Sequence, residues 1–532
     1  MKFAPIDLAV VIVYAIGIFA LAQWVSRDKG GAVKDTSDYF LASKALPWWA
    51  IGASLIAANI SAEQIVGMAG SGYAIGLAIA SYEWMAAATL LIVGKFFLPI
   101  FLENRIYTMP QFLEQRYGGS IRTLMAVFWL ALYVFVNLTS IIWLGSIAVN
   151  QVTGVDQNVA LVALGAFALL YQIRGGLKAV ALTDIVQVTL LVLGGLLVSA
   201  LTLREIGGDA GIFGGFGELT RRVPDHFDMI LSPDNPHYKE LPGLAVLVGG
   251  MWIANLSYWG FNQYIIQRAL AAKSLAEAQK GIVMAAFLKL LMPLVIVLPG
   301  IAAVVLAPGL EKPDQAYPTM LRLLPPGLLG LVFAALLAAI VASTASKINS
   351  IATIFTLDLY AKQRGRTTST EDGGKHDPAT ERHLVLVGRI TASVAILIAI
   401  LTARPLIGQS DQAFQFIQEF SGFFTPGITV IFLLGLFWKR ANEAGAIAAA
   451  VGSVVLSYVF RELMPDLPFL NRMSLVFGIT LALAVLLSLI VNARADANRI
   501  TMRGVDFRTG TGFNVASLGL VLILIALYAT WW

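Results

Sequence analysis

Six ionisable side chains stand inside stretches too apolar for ordinary aqueous surface: Glu63, Glu83, Asp184, Lys289, Lys347 and Glu419. On insertion scales a charge at the bilayer centre costs about 2.5–3.5 kcal/mol, so each asks for a partner or a function. Uncharged polar groups accompany them: Asn59, Gln64, Asn137, Asn255, Gln418 and the run Ser343-Thr344-Ala345-Ser346. Carboxylate, ammonium and amide groups together can hydrogen-bond a polyol, and Glu83 with Lys289 would cancel each other's charge. Single amides and hydroxyls also act as glue between membrane helices, a reading that fits two opposite charges less well. The hydroxyls near Ser343 suit a hard cation, because Na+ prefers oxygen ligands and an interrupted helix offers bare carbonyls. Close packing of a Ser/Thr-rich helix accounts for the same run. Tyr82, Trp84, Tyr258, Trp259 and Phe261 lie beside these polar positions, where aromatics can stack on a sugar ring, close a gate or simply pack.

The elements that must position these groups are membrane helices. The 532 residues are 58% hydrophobic and 13% charged, against about 25% charged in a soluble domain. A bilayer core of about 30 Å needs about 20 apolar residues per helix. Windows of that kind fall near 5–23, 47–72, 76–100, 124–150, 157–173, 181–203, 243–267, 282–307, 327–360, 384–403, 413–437, 443–460, 473–492 and 513–530. They predict an all-α integral membrane protein with fourteen transmembrane helices, and their continuous apolarity excludes a β-barrel. With the N-terminus outside, alternate loops hold 23 Lys and Arg on the inside against 10 outside, as the positive-inside rule requires. Both termini are therefore expected outside the cytoplasm, in a multi-pass plasma (inner) membrane protein. The net charge of +5 is then topological, and no nucleic-acid partner is implied. Residues 5–23 read as the first helix rather than a cleaved signal, since only Lys2 precedes them and Asp7 interrupts them.

Several functions are excluded. There is no cysteine, hence no disulfide, thiolate metal site or cysteine nucleophile. His226, His237, His376 and His383 have no metal-ligand spacing. The external loop 204–242 and internal loop 361–383 are too short for a catalytic domain, so an enzyme is not expected, nor an obligate protein partner. Ala58-Asn59-Ile60-Ser61 echoes as Ala254-Asn255-Leu256-Ser257 five helices later. That echo suggests inverted repeats whose first helices are interrupted at a substrate site.

Longer runs carry a resemblance. Ser54 to Met85, Tyr258 to Ser274, Gly175-Gly176-Leu177-Lys178-Ala179, and Gly435-Leu436 through Arg440 to Gly445-Ala446 resemble the sodium/glucose cotransporter branch of the solute:sodium symporter family, and are most like its bacterial sodium/galactose members. The likeness runs over nearly the whole chain. It implies a leucine-transporter-like fold with inverted five-helix repeats over 47–203 and 243–437, accessory helices over 443–532, and alternating access. It implies sugar contacts at Gln64, Glu83, Asn137, Asn255, Lys289 and Gln418. Gating falls to Tyr258, with Met68, Tyr82, Trp259 and Phe414 bounding the cavity. It implies a sodium site from the backbone oxygens of Ala57, Ile60 and Ala339 and the Ser343 hydroxyl, with Asp184 near the ion's exit path.

Three positions depart from that pattern. Ala86 stands where the sodium/galactose members have a sugar-contacting serine, and Ala342 where the family usually has the first of two sodium-binding hydroxyls. Lys347 falls one turn beyond Ser343, where relatives are uncharged, and would repel Na+ unless Asp184 neutralises it or its ammonium snorkels to the inner vestibule; otherwise it takes the ion's electrostatic role. The expected function is secondary active import of a small neutral sugar with Na+ as coupling ion and no other cofactor. The alternatives are another solute such as inositol, a cation-independent sugar facilitator, and a sugar sensor.

Overall fold

Apolar runs that cannot hydrogen-bond lipid must satisfy their amides internally, and helix is how this chain does so. The computed structural model describes residues 3–26, 46–106, 108–174, 177–364, 378–491, 500, 502 and 504–532, with side chains except at 19, 21–26, 171–184 and 378–382. The principal helices are α1 (Pro5–Ser26), α2 (Trp48–Asn59), and α3 (Glu63–Ala74), α4 (Leu77–Glu103) and α5 (Gly119–Thr153). They continue as α6 (Gln157–Arg174), α7 (Leu177–Gly207), α8 (Gly250–Phe261), α9 (Gln263–Leu270) and α10 (Leu275–Leu306). The remainder are α11 (Leu328–Ala361), α12 (Pro378–Ile407), α13 (Ala413–Ser421), α14 (Thr425–Phe437), α15 (Glu443–Leu463), α16 (Phe469–Ile490) and α17 (Thr511–Thr530).

Every predicted window contains helix, but the windows are not equal. Among the described residues nine helices are long and apolar enough to cross a membrane, and up to eleven if each sharply bent pair is one span. The windows 5–23 and 157–173 hold shorter apolar stretches, and 243–267 is divided between α8, α9 and a short helix, Leu244–Val248. The count of fourteen is thus reached only by including short and broken pieces.

The breaks have local causes. α2 stops where Ile60 turns extended (φ −70°, ψ 111°), and the Ser61 hydroxyl then accepts the Glu63 N–H at 3.2 Å, so a side chain replaces the helical acceptor. α3 leaves at 64° to α2. The carbonyls at the end of α2, Ala57 among them, lie beyond the helical ladder. α8 and α9 meet at Asn262, also extended, whose Oδ1 accepts the Tyr133 hydroxyl at 2.7 Å. α13 and α14 bend by 46°. α3 lies backbone-close to α10: a Cβ at Gly300 would come within 2.1 Å of the Ala69 carbonyl, so glycine is required there.

Contacts sort the loops into two sides. Asp7 caps the start of α11, accepting the Gly327 and Gly330 N–H groups at 2.7 and 2.9 Å. The Met229 N–H reaches the Trp531 carbonyl at 2.7 Å, and Trp531 packs on Phe227 with ring centroids 5.2 Å apart. Both termini thus share a side with the loops 204–242 and 308–327. On the opposite side Arg116 donates to the carbonyls of Gly435, Trp438 and Ala441 at 2.8, 2.8 and 3.0 Å. There Arg122 pairs with Asp358 at 2.6 Å and Lys362 with Glu114 at 2.7 Å.

Candidate functional site

The interruption of α2–α3 opens a cavity between these helices, α4, α5, α8, α10 and α13. Gln64, Glu83, Asn137, Asn255, Lys289 and Gln418 all line it, with Met68, Tyr82, Tyr258, Trp259 and Phe414. Ala86 lines it as well. Lys289 is 1% exposed and pairs with Glu83 at 2.5 Å. Its ammonium also donates to Asn59 Oδ1 and stands 5.0 Å from the Trp259 ring centroid. Two formal charges are therefore neutralised inside the wall. Pro293, within α10, lacks the N–H that would have closed on the Lys289 carbonyl, which loosens the ladder beside that lysine.

Glu63 lies in the same wall, its carboxylate accepting from Ser140 Oγ at 2.6 Å. Gln64 Oε1 accepts from Ser61 Oγ at 3.1 Å, and the Asn255 amide donates to the Met251 carbonyl at 3.1 Å. Asn255 thus spends one donor on its own helix and presents its oxygen to the cavity.

Aromatic contacts bound the cavity at both ends. Toward the termini Tyr82 and Phe414 meet edge to face, centroids 5.1 Å apart. Beyond them α3, the turn Pro313–Gln315 and α13 form a seal: a Cβ on Gly70 would fall 2.5 Å from the Asp314 carboxylate and 2.9 Å from its backbone. Asp314 is buried, and its Oδ2 accepts the Ala413 N–H at 3.1 Å while Oδ1 has no protein partner. Burial pushes this carboxyl up to about 7, and Asp411 adds to the rise against the Ala413 N–H and Lys312. At the other end the Tyr258 hydroxyl accepts from Asn59 Nδ2 at 3.1 Å and meets the Tyr264 hydroxyl at 2.6 Å.

A second, smaller cavity lies past that tyrosine pair, lined by Ala57, Ala58, Tyr264, Arg268, Ala342, Ser343, Ser346 and Lys347. It holds two of the expected sodium ligands, Ala57 and Ser343. Ile60 is buried at the break of α2, and Ala339 is buried one turn before Ser343. The Ser343 hydroxyl donates to the Ala339 carbonyl, so in this conformation two of those oxygens are engaged with each other. The Asp184 side chain lies outside the described residues.

One expectation changes. Glu419, grouped with the intramembrane charges, is instead half-buried and paired with Arg472 at 2.9 Å and Arg461 at 3.6 Å. Lys347 rests on aromatic faces, 4.0 Å from the Tyr264 centroid and 5.7 Å from that of Tyr133, while the side chain of Asp184, named as its neutralising partner, lies outside the described residues. Tyr133, Asn262, Tyr264 and Arg268 were not singled out from the sequence. Tyr133 lies one helical turn before Asn137, the spacing that puts both on one face.

A model of the sodium:solute symporter family matches residues 39–452. The chain is 49% identical to the sodium/glucose cotransporter of Vibrio parahaemolyticus, over 99% of this chain and 98% of that protein. It is 35% identical to the sodium/myo-inositol cotransporter 2 of Mus musculus, over 86% of this chain and 70% of that one. Among solved structures, a Na+-coupled sialic acid symporter in a substrate-bound, outward-open state superposes with a TM-score of 0.76 at 22% identity, covering 92% of this chain and 98% of that chain.

Proposed function

Because the chain belongs to the sodium:solute symporter family, we propose that it imports a small neutral sugar together with Na+. The observation that carries this reading is the self-neutralised Glu83–Lys289 pair in a cavity also walled by amides, hydroxyls, aromatic and aliphatic side chains, and by the Glu63 carboxylate, which accepts from Ser140. Such a wall offers donors and acceptors to sugar hydroxyls without presenting net charge from that pair. No arginine lines this cavity, which disfavours an acidic substrate. Gln64, Glu83, Asn137, Asn255, Lys289 and Gln418 are proposed to hold the sugar, with Tyr82 and Phe414 closing over it on one side and Tyr258 on the other. The backbone oxygens of Ala57, Ile60 and Ala339 and the Ser343 hydroxyl are proposed to receive Na+. The loop charges favour the side bearing both termini as the exterior.

One cation moving through about 100 mV supplies about 2.3 kcal/mol, enough for roughly 40-fold accumulation before any Na+ gradient is counted. Coupling requires Na+ to favour the conformation that binds sugar from outside. The two cavities share the Tyr258–Tyr264 partition, so cation and sugar act on one gate. The test is uptake of radiolabelled glucose and galactose into proteoliposomes with and without a Na+ gradient. Saturable, Na+-stimulated uptake is expected. Uptake equal in both conditions would reduce the protein to a facilitator, and binding without uptake to a sensor.

A further inference from the structure

Lys347 is 3% exposed, yet among the described residues its ammonium has neither a carboxylate within ion-pair distance nor a hydrogen-bond acceptor. It is held by the faces of Tyr264 and Tyr133. Two charged groups interact with it at longer range, Glu63 favourably and Arg268 unfavourably. Arg268 is itself anchored to the Ser54 hydroxyl at 2.9 Å and to the Tyr264 carbonyl. This ammonium borders the same small cavity as Ala57 and Ser343. Two positive charges must therefore contend for it whenever a cation binds there.

We propose that Lys347 sets the protein's response to sodium: its charge opposes Na+ in the shared cavity and passes that opposition to the gate through Tyr264 and Tyr258. The inference rests on the sodium-coupled reading above. The relay is contiguous. The ammonium sits on the Tyr264 ring, and the Tyr264 hydroxyl meets that of Tyr258. Tyr258 bonds Asn59, and Asn59 bonds Lys289 beside Glu83. A cation arriving at Ser343 pushes the ammonium along its own chain toward or away from that ring, disturbing the tyrosine contact that closes the sugar cavity. At an effective dielectric of about 20, like charges about 6 to 8 Å apart cost roughly 30- to 100-fold in affinity. Glu63 offsets part of that repulsion, so at least about tenfold is expected to remain.

The test compares wild type, Lys347→Met and Lys347→Gln as full-length purified protein, measuring binding of radioactive sodium directly and sugar affinity at low and saturating Na+. Both substitutions remove the charge, and Gln keeps a polar group should Met fail to fold. Sodium affinity should rise at least tenfold in either variant. Tyr264→Phe keeps the ring and loses the hydroxyl: it should shrink the effect of Na+ on sugar affinity. Equal sodium affinity in wild type and the charge-removed variants overturns the inference. A Tyr264→Phe protein whose Na+ effect on sugar is intact overturns the relay. Sodium binding seen only after the charge is removed upholds Lys347's opposition and overturns instead the sodium coupling of the wild-type protein. No sodium binding by any variant overturns both.

Discussion

Lys289 reaches Glu83 and Asn59 at once, so it couples the two helices either side of the cavity as well as presenting hydrogen bonds to it. A structural role and the proposed substrate-binding role therefore overlap in one residue, and a single substitution cannot separate them. Removing one partner of a buried ion pair leaves an uncompensated charge and costs about 3–5 kcal/mol, whereas removing both is often neutral. Glu83→Gln and Lys289→Met alone should each lower thermal stability, and the double variant should recover most of it. Uptake should not recover. A hydrogen bond from a charged group is worth about 1.5–3 kcal/mol, or about 10- to 150-fold in sugar affinity. Thermal unfolding beside sugar uptake checks this, and a double variant transporting with wild-type affinity would make the pair purely structural. The charged and amide positions of this wall were legible in the sequence because a polar group in an apolar run declares itself. What faced Lys347 was not. Sequence spacing gives depth along a helix and the face a side chain shares with its own neighbours, but not which foreign helix meets that face. Tyr264 and Tyr133 reach Lys347 from two other helices, and Glu419 is drawn out of the cavity wall by arginines on α15 and α16.

Helix breaks are the feature of this fold least visible in the sequence. The windows 47–72 and 413–437 read as continuous, and only local geometry at Ile60 and at the α13–α14 junction bends them. The Asn/Ser echo pointed to an interruption, but polar residues at mid-helix are equally compatible with a straight span. The breaks create the short segments that meet at the seal near Asp314, where a pH response belongs. In the closed seal this carboxyl sits near pH 7, from an ordinary value of 3.8. The closed state therefore holds a proton that a hydrated carboxylate gives up at lower pH. Closure is favoured as pH falls from about 7 toward about 4, is progressively lost as pH rises through that window, and is flat above it. Because the chain has no cysteine, a single Ser71→Cys in the buried face of α3 can report on opening through an impermeant maleimide. Labelling with Asp314 intact, divided by labelling with Asp314→Asn at the same pH, cancels the thiol's own reactivity. That ratio should fall between pH 8 and pH 5. A ratio independent of pH would remove Asp314 from the gating.

At the scale of the whole molecule, the loop charges and the long-range contacts are independent observations that divide the chain the same way. Asp7 ties the N-terminus to the loop before α11, and Trp531 ties the C-terminus to the loop before α8. These are regions that alternation of Lys and Arg puts together on the basic-poor side. On the other side, where the basic excess falls, Arg116 and Arg122 are engaged with the ends of α14 and α11, and Lys362, just past α11, with Glu114. A chain folded with its termini on opposite sides could not make both sets of contacts. The contacts fix which loops share a side, whereas the choice of the cytoplasmic side rests on charge alone. The cysteine-free background makes that choice measurable with single substitutions at exposed positions. Asp234→Cys lies in the loop before α8, and Lys439→Cys lies between α14 and α15. In intact cells an impermeant maleimide should label the first and spare the second, and permeabilised cells should label both. Labelling of position 439 in intact cells, with position 234 protected, would invert the molecule. It would also make the Tyr258 end of the sugar cavity, with its lysine-guarded neighbour, the one that faces incoming substrate.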